Sequence, residues 1–202
     1  MAQTGKSYKV LSTQPTPNPD ALKFFVNSLA ISSGTKSFDS GEEAKGDAFA
    51  EALFALPGIR GIYVNQDYVS ITKSMMDDWA DLIEPIRETI EKYLEGYEPV
   101  SEPPTKNYPA EKISVTPEEF NELSNEERLI IVDTLLDETV RPALAADGGG
   151  LIVQTVEGNI VRIHYQGACG SCPSSTEGTL KAIQGILQKS LGPEIQVQTA
   201  LI

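Results

Sequence analysis

The amino-acid sequence predicts an α+β protein made of two small domains, each a short mostly antiparallel or mixed sheet packed against helices. Strand-like and helix-like apolar patterns follow in the order ββαββα and then αββαβ. Between these two groups, residues 96–123 contain five prolines and no apolar period, which is typical of a linker. We therefore predict a first domain over residues 1–95, a Pro-rich linker over 96–123 and a second domain over 124–202.

In the first domain, short apolar strands surround two amphipathic helices. Three prolines in residues 14–20 predict a turn without helix or strand pairing. Pro57 and Gly58 end the first helix, and the acidic stretch 37–46 is predicted to be a solvated loop. The predicted strands cover 8–13, 22–26, 59–64 and 68–72, and the predicted helices cover 47–56 and 77–94.

In the second domain, the first helix begins at a capping-box pattern, Ser124 to Glu127. Pro142 should kink or restart that helix, because proline removes a backbone hydrogen bond and crowds the preceding turn. Asp147 and three glycines end it. The predicted strands cover 151–156, 160–165 and 195–201, and a second helix runs from about Pro173 to Leu191.

The net charge of −13, from 16 basic and 29 acidic residues, is spread over both halves of the chain. Such acidity repels phosphate, so we expect neither nucleic acid nor an anionic membrane surface as a partner. No apolar run approaches the roughly 20 residues needed to span a bilayer. Without a signal or transit pattern at the start, the expected location is the cytoplasm of a bacterium. The alternative is the mitochondrial matrix, if a presequence is missing.

The chemistry of the chain is concentrated in one loop, residues 166–175, which we call the cysteine loop. It holds the two cysteines of the sequence, Cys169 and Cys172. So few cysteines exclude a disulfide-stapled scaffold and a single-chain zinc finger. Pro173 suits a first helical position, so Cys172 is a candidate N-cap, where a thiolate is favoured. Flanking glycines let both sulfurs turn toward one point, where they can bind the same metal ion or cluster.

Three interpretations of this CxxC spacing remain open from the residues alone. The cysteines can be structural. A redox dithiol is the second interpretation, although a thioredoxin-like motif follows a different strand pattern and often has an aromatic residue where Ala168 stands. A metal site is the third. Because Zn²⁺ or a four-iron cluster takes four cysteines, two chains meeting at a two-fold axis would complete it.

Two nearby motifs are predicted to be structural rather than metal ligands. His164 shares a strand face with Arg162, which marks that face as solvated, so we expect a surface histidine. The run from Asp147 to Gly149 is explained by a helix end followed by a tight turn.

Several motifs together resemble the Nfu family, whose members carry an Nfu N-terminal domain and a NifU C-terminal-type domain. The resemblance covers nearly the whole chain, in the domain order of mitochondrial and some bacterial Nfu scaffolds. It is carried by residues 14–20, 22–24, 71–73 and 78–82 in the first domain and by 147–149, 167–175 and 179–181 in the second.

This resemblance implies a non-enzymatic iron–sulfur cluster scaffold or carrier. Cys169 and Cys172 would be the cluster ligands, with a [4Fe–4S] cluster, or as the alternative a [2Fe–2S] cluster, held between the two subunits of a homodimer. Its partners would be apo iron–sulfur proteins as recipients and an upstream cluster-assembly donor, and the first domain would serve such contacts. The alternatives are a CxxC dithiol oxidoreductase and a structural zinc-binding dimer.

Overall fold

The computed structural model describes residues 8–32, 34–95, 97, 115–170 and 176–200, without the side chains of 176 and 177. These residues form two compact units. Unit 1 contains the described residues up to 97 together with two short segments from later in the chain, 147–149 and 166–170. Unit 2 contains the remaining described residues between 115 and 200. No helix in this described part of the chain is long and apolar enough to cross a membrane.

Unit 1 is built on a five-stranded antiparallel sheet with the strand order β1-β2-β5-β4-β3. Asp47 and Asp78 cap its two helices, each accepting a hydrogen bond from a backbone N–H of the first turn. The strands are β1 (Val10–Pro15), β2 (Ala21–Val26), β3 (Lys36–Phe38), β4 (Ile59–Val64) and β5 (Tyr68–Lys73), and the helices are α1 (Ala48–Phe54) and α2 (Trp79–Tyr93).

One face of this sheet packs against both helices and forms the hydrophobic core of unit 1. Strand residues on that face alternate along the chain, as the period of a strand requires. The fully buried members include Phe24, Ile62, Val69 and Ile71 from the sheet, Phe49 and Leu53 from α1, and Ile86 and Ile90 from α2.

The opposite face of the sheet, which we call the second face, is buried as well. Every residue of β5 is buried, so this strand lacks the alternation of a sheet with one solvated side. In the strand register, Ser70 pairs with Lys23 on one side and with Tyr63 on the other, so the three side chains form a row. Tyr68 and Thr72 flank this row on the same face, because they are two residues from Ser70.

The sequence prediction for unit 1 is confirmed for both helices and most strands, with two corrections. Strand β1 extends into the predicted turn, and Pro15 pairs with Leu22. Proline is tolerated there because β1 lies at the edge of the sheet. The short strand β3 was not predicted, and it overlaps the expected loop 37–46. Three residues are too few to show a strand period, so only pairing with β4 defines β3.

Unit 2 combines four helices with most of a three-stranded sheet of order β6-β7-β8. The two residues between β6 and β7 make them a hairpin, whereas β7 and β8 run parallel. The elements are α3 (Pro117–Glu122), α4 (Asn125–Thr139), α5 (Arg141–Ala146), β6 (Gly149–Glu157), β7 (Ile160–Gly167), α6 (Thr176–Leu191) and β8 (Gln196–Thr199). The predicted interruption at Pro142 is confirmed, since α4 ends and α5 begins beside it.

A helix within the predicted linker was not expected. Thr116 and Glu119 form a capping box at the start of α3, and Phe120 is fully buried. Arg128 of α4 holds this helix in place, because its Nε donates to the Phe120 carbonyl at 3.0 Å and its guanidinium lies over the ring. The linker residues 96 and 98–114 lie outside the described residues, so the linker itself stays a prediction.

Phe120→Ala should destabilise unit 2, because it removes a fully buried aromatic side chain from the packing beneath α3. We expect a loss of about 3–5 kcal/mol in the free energy of unfolding, measured by denaturant titration of residues 115–202. Asn121→Ala is the matched control, since that side chain is exposed and should change stability by no more than about 0.5 kcal/mol. Equal stabilities of the two variants would show that α3 is not part of the folded unit.

Candidate functional site in the cysteine loop

The described part of the cysteine loop, residues 166–170, forms a tight turn at the end of β7, which we call the cysteine turn. Gly167 has a φ of +60°, and the N–H of Gly170 donates to its carbonyl at 3.1 Å. Cys169 lies in this turn, with 7% of its surface exposed. Residues 171–175, and Cys172 with them, lie outside the described residues. The joint placement of the two sulfurs therefore stays a prediction.

Gly149 makes room for the cysteine turn by carrying no side chain. A Cβ at this position would lie 2.5 Å from the carbonyl oxygen of Gln166 and 2.7 Å from Sγ of Cys169. Its neighbour Gly148 accepts a hydrogen bond from the N–H of Ala168 at 3.3 Å. The beginning of β6 and the end of β7 thus enclose the Cys169 thiol in a glycine-lined turn.

This role of Gly149 was not predicted from the sequence. The prediction of a helix end and tight turn is confirmed, because α5 ends at Ala146 and Gly148 has a φ of +82°. The role of this turn in enclosing Cys169 depends on the contact between Gly149 and Cys169, which are 20 residues apart in the chain. The one signal for it was glycine at the start of a strand, which often marks a close approach of backbone.

The cysteine turn also lies against the second face of the five-stranded sheet, within unit 1. Buried Asn18 donates from Nδ2 to the carbonyl oxygen of Ala168 at 3.1 Å. A Cβ on Gly167 would lie 2.6 Å from Cβ of Tyr63. A Cβ on Gly148 would lie 3.1 Å from Oγ of Ser70. No other residue type fits these approaches without displacing the turn.

Tyr68 of the second face lies close enough to Cys169 for the two side chains to interact electrostatically. Burial, with further contributions from the charges of Asp67 and Cys169, raises the pKa of Tyr68 to about 12. A hydrogen bond from Nδ2 of Asn65 at 3.1 Å acts in the opposite direction and lowers it. Tyr68 therefore remains a neutral phenol over the physiological range.

His164 lies on the face of β7 that the sequence predicted. The residues of β7 alternate, with Val161, Ile163 and Tyr165 buried and Arg162 and His164 half-buried on the other side. Arg162 forms an ion pair with Glu157 at 2.8 Å. Among the described residues, no group of three or more His, Cys, Asp or Glu could hold a metal ion, so His164 joins no such group.

The fold and this turn define the class of protein: a small α+β protein with a buried cysteine in a glycine-lined turn after a strand. Comparison with protein-family models gives two matches. Residues 11–96 match the family described as "Scaffold protein Nfu/NifU N terminal", and residues 132–198 match the "NifU-like domain". Together the two matches cover more than half of the chain. The chain therefore belongs to the Nfu family.

Curated relatives align along nearly the whole chain. A protein from Drosophila ananassae named "NFU1 iron-sulfur cluster scaffold homolog, mitochondrial" is 29% identical over 96% of this chain and 64% of its own length. The protein of the same name from Drosophila persimilis is 28% identical over 97% and 66%. The chain thus spans just under two thirds of these relatives. Their names place them in mitochondria, the second of the two locations expected from the sequence.

Among solved structures, the NMR structure of a NifU-like protein from Saccharomyces cerevisiae is 21% identical. It covers 46% of this chain and 83% of its own, with a TM-score of 0.40.

Gly149→Ala should destabilise the chain, because the added methyl group overlaps the Gln166 carbonyl and the Cys169 sulfur. We expect a loss of about 1–3 kcal/mol in the free energy of unfolding. Gly185→Ala is the matched control, since nothing lies within 4 Å of its Cβ in α6. It should stabilise that helix by about 1 kcal/mol. Denaturant titration of both variants measures the difference, and equal shifts would contradict the close approach at Gly149.

Proposed function

We propose that this protein is an iron–sulfur cluster scaffold and carrier that holds its cargo through Cys169 and Cys172. Cys169 is the strongest support for this proposal, because it lies in a glycine-lined turn of a NifU-like domain. Cys172 follows at the CxxC spacing, which lets two thiolates bind one centre. Thiolates are the ligands that iron–sulfur clusters require. The names of the Drosophila relatives support the same role.

The number of ligands leads to a shared cluster. One chain offers two thiolates, whereas a [4Fe–4S] cluster takes four. Two copies related by a two-fold axis supply four without any further residue. We therefore propose a homodimer with one [4Fe–4S] cluster between its subunits. A [2Fe–2S] cluster has the same ligand requirement and is the alternative cargo.

Sharing the cluster also accounts for its release. Neither chain alone completes the four-fold ligation, so the cargo can leave when the contact between subunits opens. This property suits transfer to apo iron–sulfur proteins after loading from an upstream assembly donor. The proposed role is cargo handling and includes no catalytic step.

Replacing either cysteine by alanine should abolish cluster binding. Each single change removes two of the four ligands from a symmetric dimer, because both subunits carry it. After anaerobic reconstitution, we expect the unmodified chain to hold about two iron and two sulfide ions per chain. Cys169→Ala and Cys172→Ala should hold almost none while keeping the circular dichroism spectrum of the unmodified chain.

His164→Ala is the matched control for these variants. It lies on the same strand as the cysteine turn, but we assign it no ligand role, so its iron and sulfide content should be unchanged. A stoichiometric cluster in Cys169→Ala, or its loss in His164→Ala, would overturn the ligand assignment. Reductase activity without a cluster would favour a dithiol oxidoreductase, and stoichiometric zinc in protein purified without oxygen would favour a zinc dimer.

Cluster binding and dimerisation should be linked, because one cluster needs thiolates from two chains. We expect the apo chain to be mainly monomeric and the loaded chain to be dimeric. Anaerobic gel filtration with light scattering measures this, and Mössbauer spectroscopy of the dimer peak identifies the cluster type. A monomer of unchanged mass that carries the full cluster would rule out the shared site.

A further inference from the structure

The burial of Cys169 conflicts with a cluster shared between two chains. A thiolate that binds a cluster at a subunit contact must reach the surface of its own chain. Cys169 is only 7% exposed, and its neighbour Ala168 is 2% exposed. The described conformation therefore keeps this thiol away from a second copy.

The second face of the five-stranded sheet provides much of this cover. Asn18 donates to the Ala168 carbonyl, and Tyr63 and Ser70 lie directly against the glycines on either side of the turn. The sheet residues lie so close to the backbone of Gly148 and Gly167 that a single methyl group on either glycine would fill the space between them. The second face is thus shaped to receive the cysteine turn.

The polarity of the second face indicates that this cover is temporary. The buried hydroxyl of Ser70, which lies beneath Gly148, has no hydrogen-bond partner among the described residues. Permanent burial of such groups is unfavourable, whereas water would satisfy them in an open state. A face that remained covered would be stabler with apolar side chains.

We propose that the second face of the sheet is a docking surface for the cysteine turn, and that the docked form is the cluster-free state of the chain. Undocking exposes Cys169 for a second copy and exposes the polar groups of the face to water. Docking and cluster binding then compete for the same turn. This inference rests on the proposed function, since it takes the cluster to be shared between two chains.

Asn18→Asp tests the docking contact with almost no change in shape. The aspartate still accepts the hydrogen bond that Oδ1 of Asn18 receives from the N–H of Asp20 at 3.0 Å. It replaces the donor to the Ala168 carbonyl by a charged oxygen, which repels that carbonyl. Asn27→Asp is the matched control. It adds the same charge at an exposed site and keeps the acceptor that Asn27 offers to the N–H of Lys9.

The first measurement is the rate at which iodoacetamide alkylates Cys169 in the apo chain. Cys172→Ser is present in every variant, so that Cys169 is the thiol whose alkylation is measured. Asn18→Asp should raise this rate about tenfold, since it replaces a buried hydrogen bond by a repulsive contact. Asn27→Asp should leave it unchanged. Ser70→Ala removes a buried hydroxyl that has no partner and adds no bulk, so it should stabilise the docked form and lower the rate; it serves if Asn18→Asp does not fold. Unchanged rates in folded variants would overturn the docking surface.

The second measurement is anaerobic cluster loading of chains that retain both cysteines. Asn18→Asp should load faster than Asn27→Asp and reach the same iron and sulfide content. Faster alkylation combined with loss of the cluster would mean that the docked turn is the binding form, which overturns the competition. If no chain, including the unmodified one, binds a cluster, the proposed function fails, while the alkylation rates still decide whether the turn docks.

Discussion

The close approach of backbone to backbone around Gly149 is the constraint on which the site depends. Since this residue has no side chain, the start of β6 lies directly against the Gln166 carbonyl and the Cys169 sulfur. The hydrogen bond from Ala168 to Gly148 holds the turn in the same place. Any larger residue at position 149 would push the thiol out of the turn. The position of Cys169 thus depends on the close packing of the start of β6 against the end of β7.

The same glycines connect the turn to the five-stranded sheet. Gly148 and Gly167 let it approach Ser70 and Tyr63, and Asn18 supplies one directed hydrogen bond. This cover has an energetic cost, because each buried hydroxyl without a partner on the second face is unfavourable by about 1–3 kcal/mol. In the proposed docking, a small number of favourable contacts is thus opposed by the cost of these buried hydroxyls.

Unit 2 is stabilised in part by helix α3, which lies in a segment with the composition of a linker. Helix α3 is short, but the Thr116 capping box, the buried Phe120 ring and the two bonds from Arg128 to backbone carbonyls fix it on the unit. Local capping alone would not stabilise a helix of six residues. Its packing against α6, together with the contacts from Arg128 of α4, does so.

The sequence by itself determined the elements whose signals are local. It predicted β4 at 59–64, the capping box of α4, the break at Pro142 and a cysteine in a turn after β7. It also identified the family through short motifs. Only the tertiary structure decided the rest. Strand β3 exists through pairing with β4, Gly149 gains its role from residues near 166, and Asn18 meets Ala168 across 150 positions. Such contacts leave no periodic trace in a single sequence, because their partners are brought together by the fold and not by spacing along the chain.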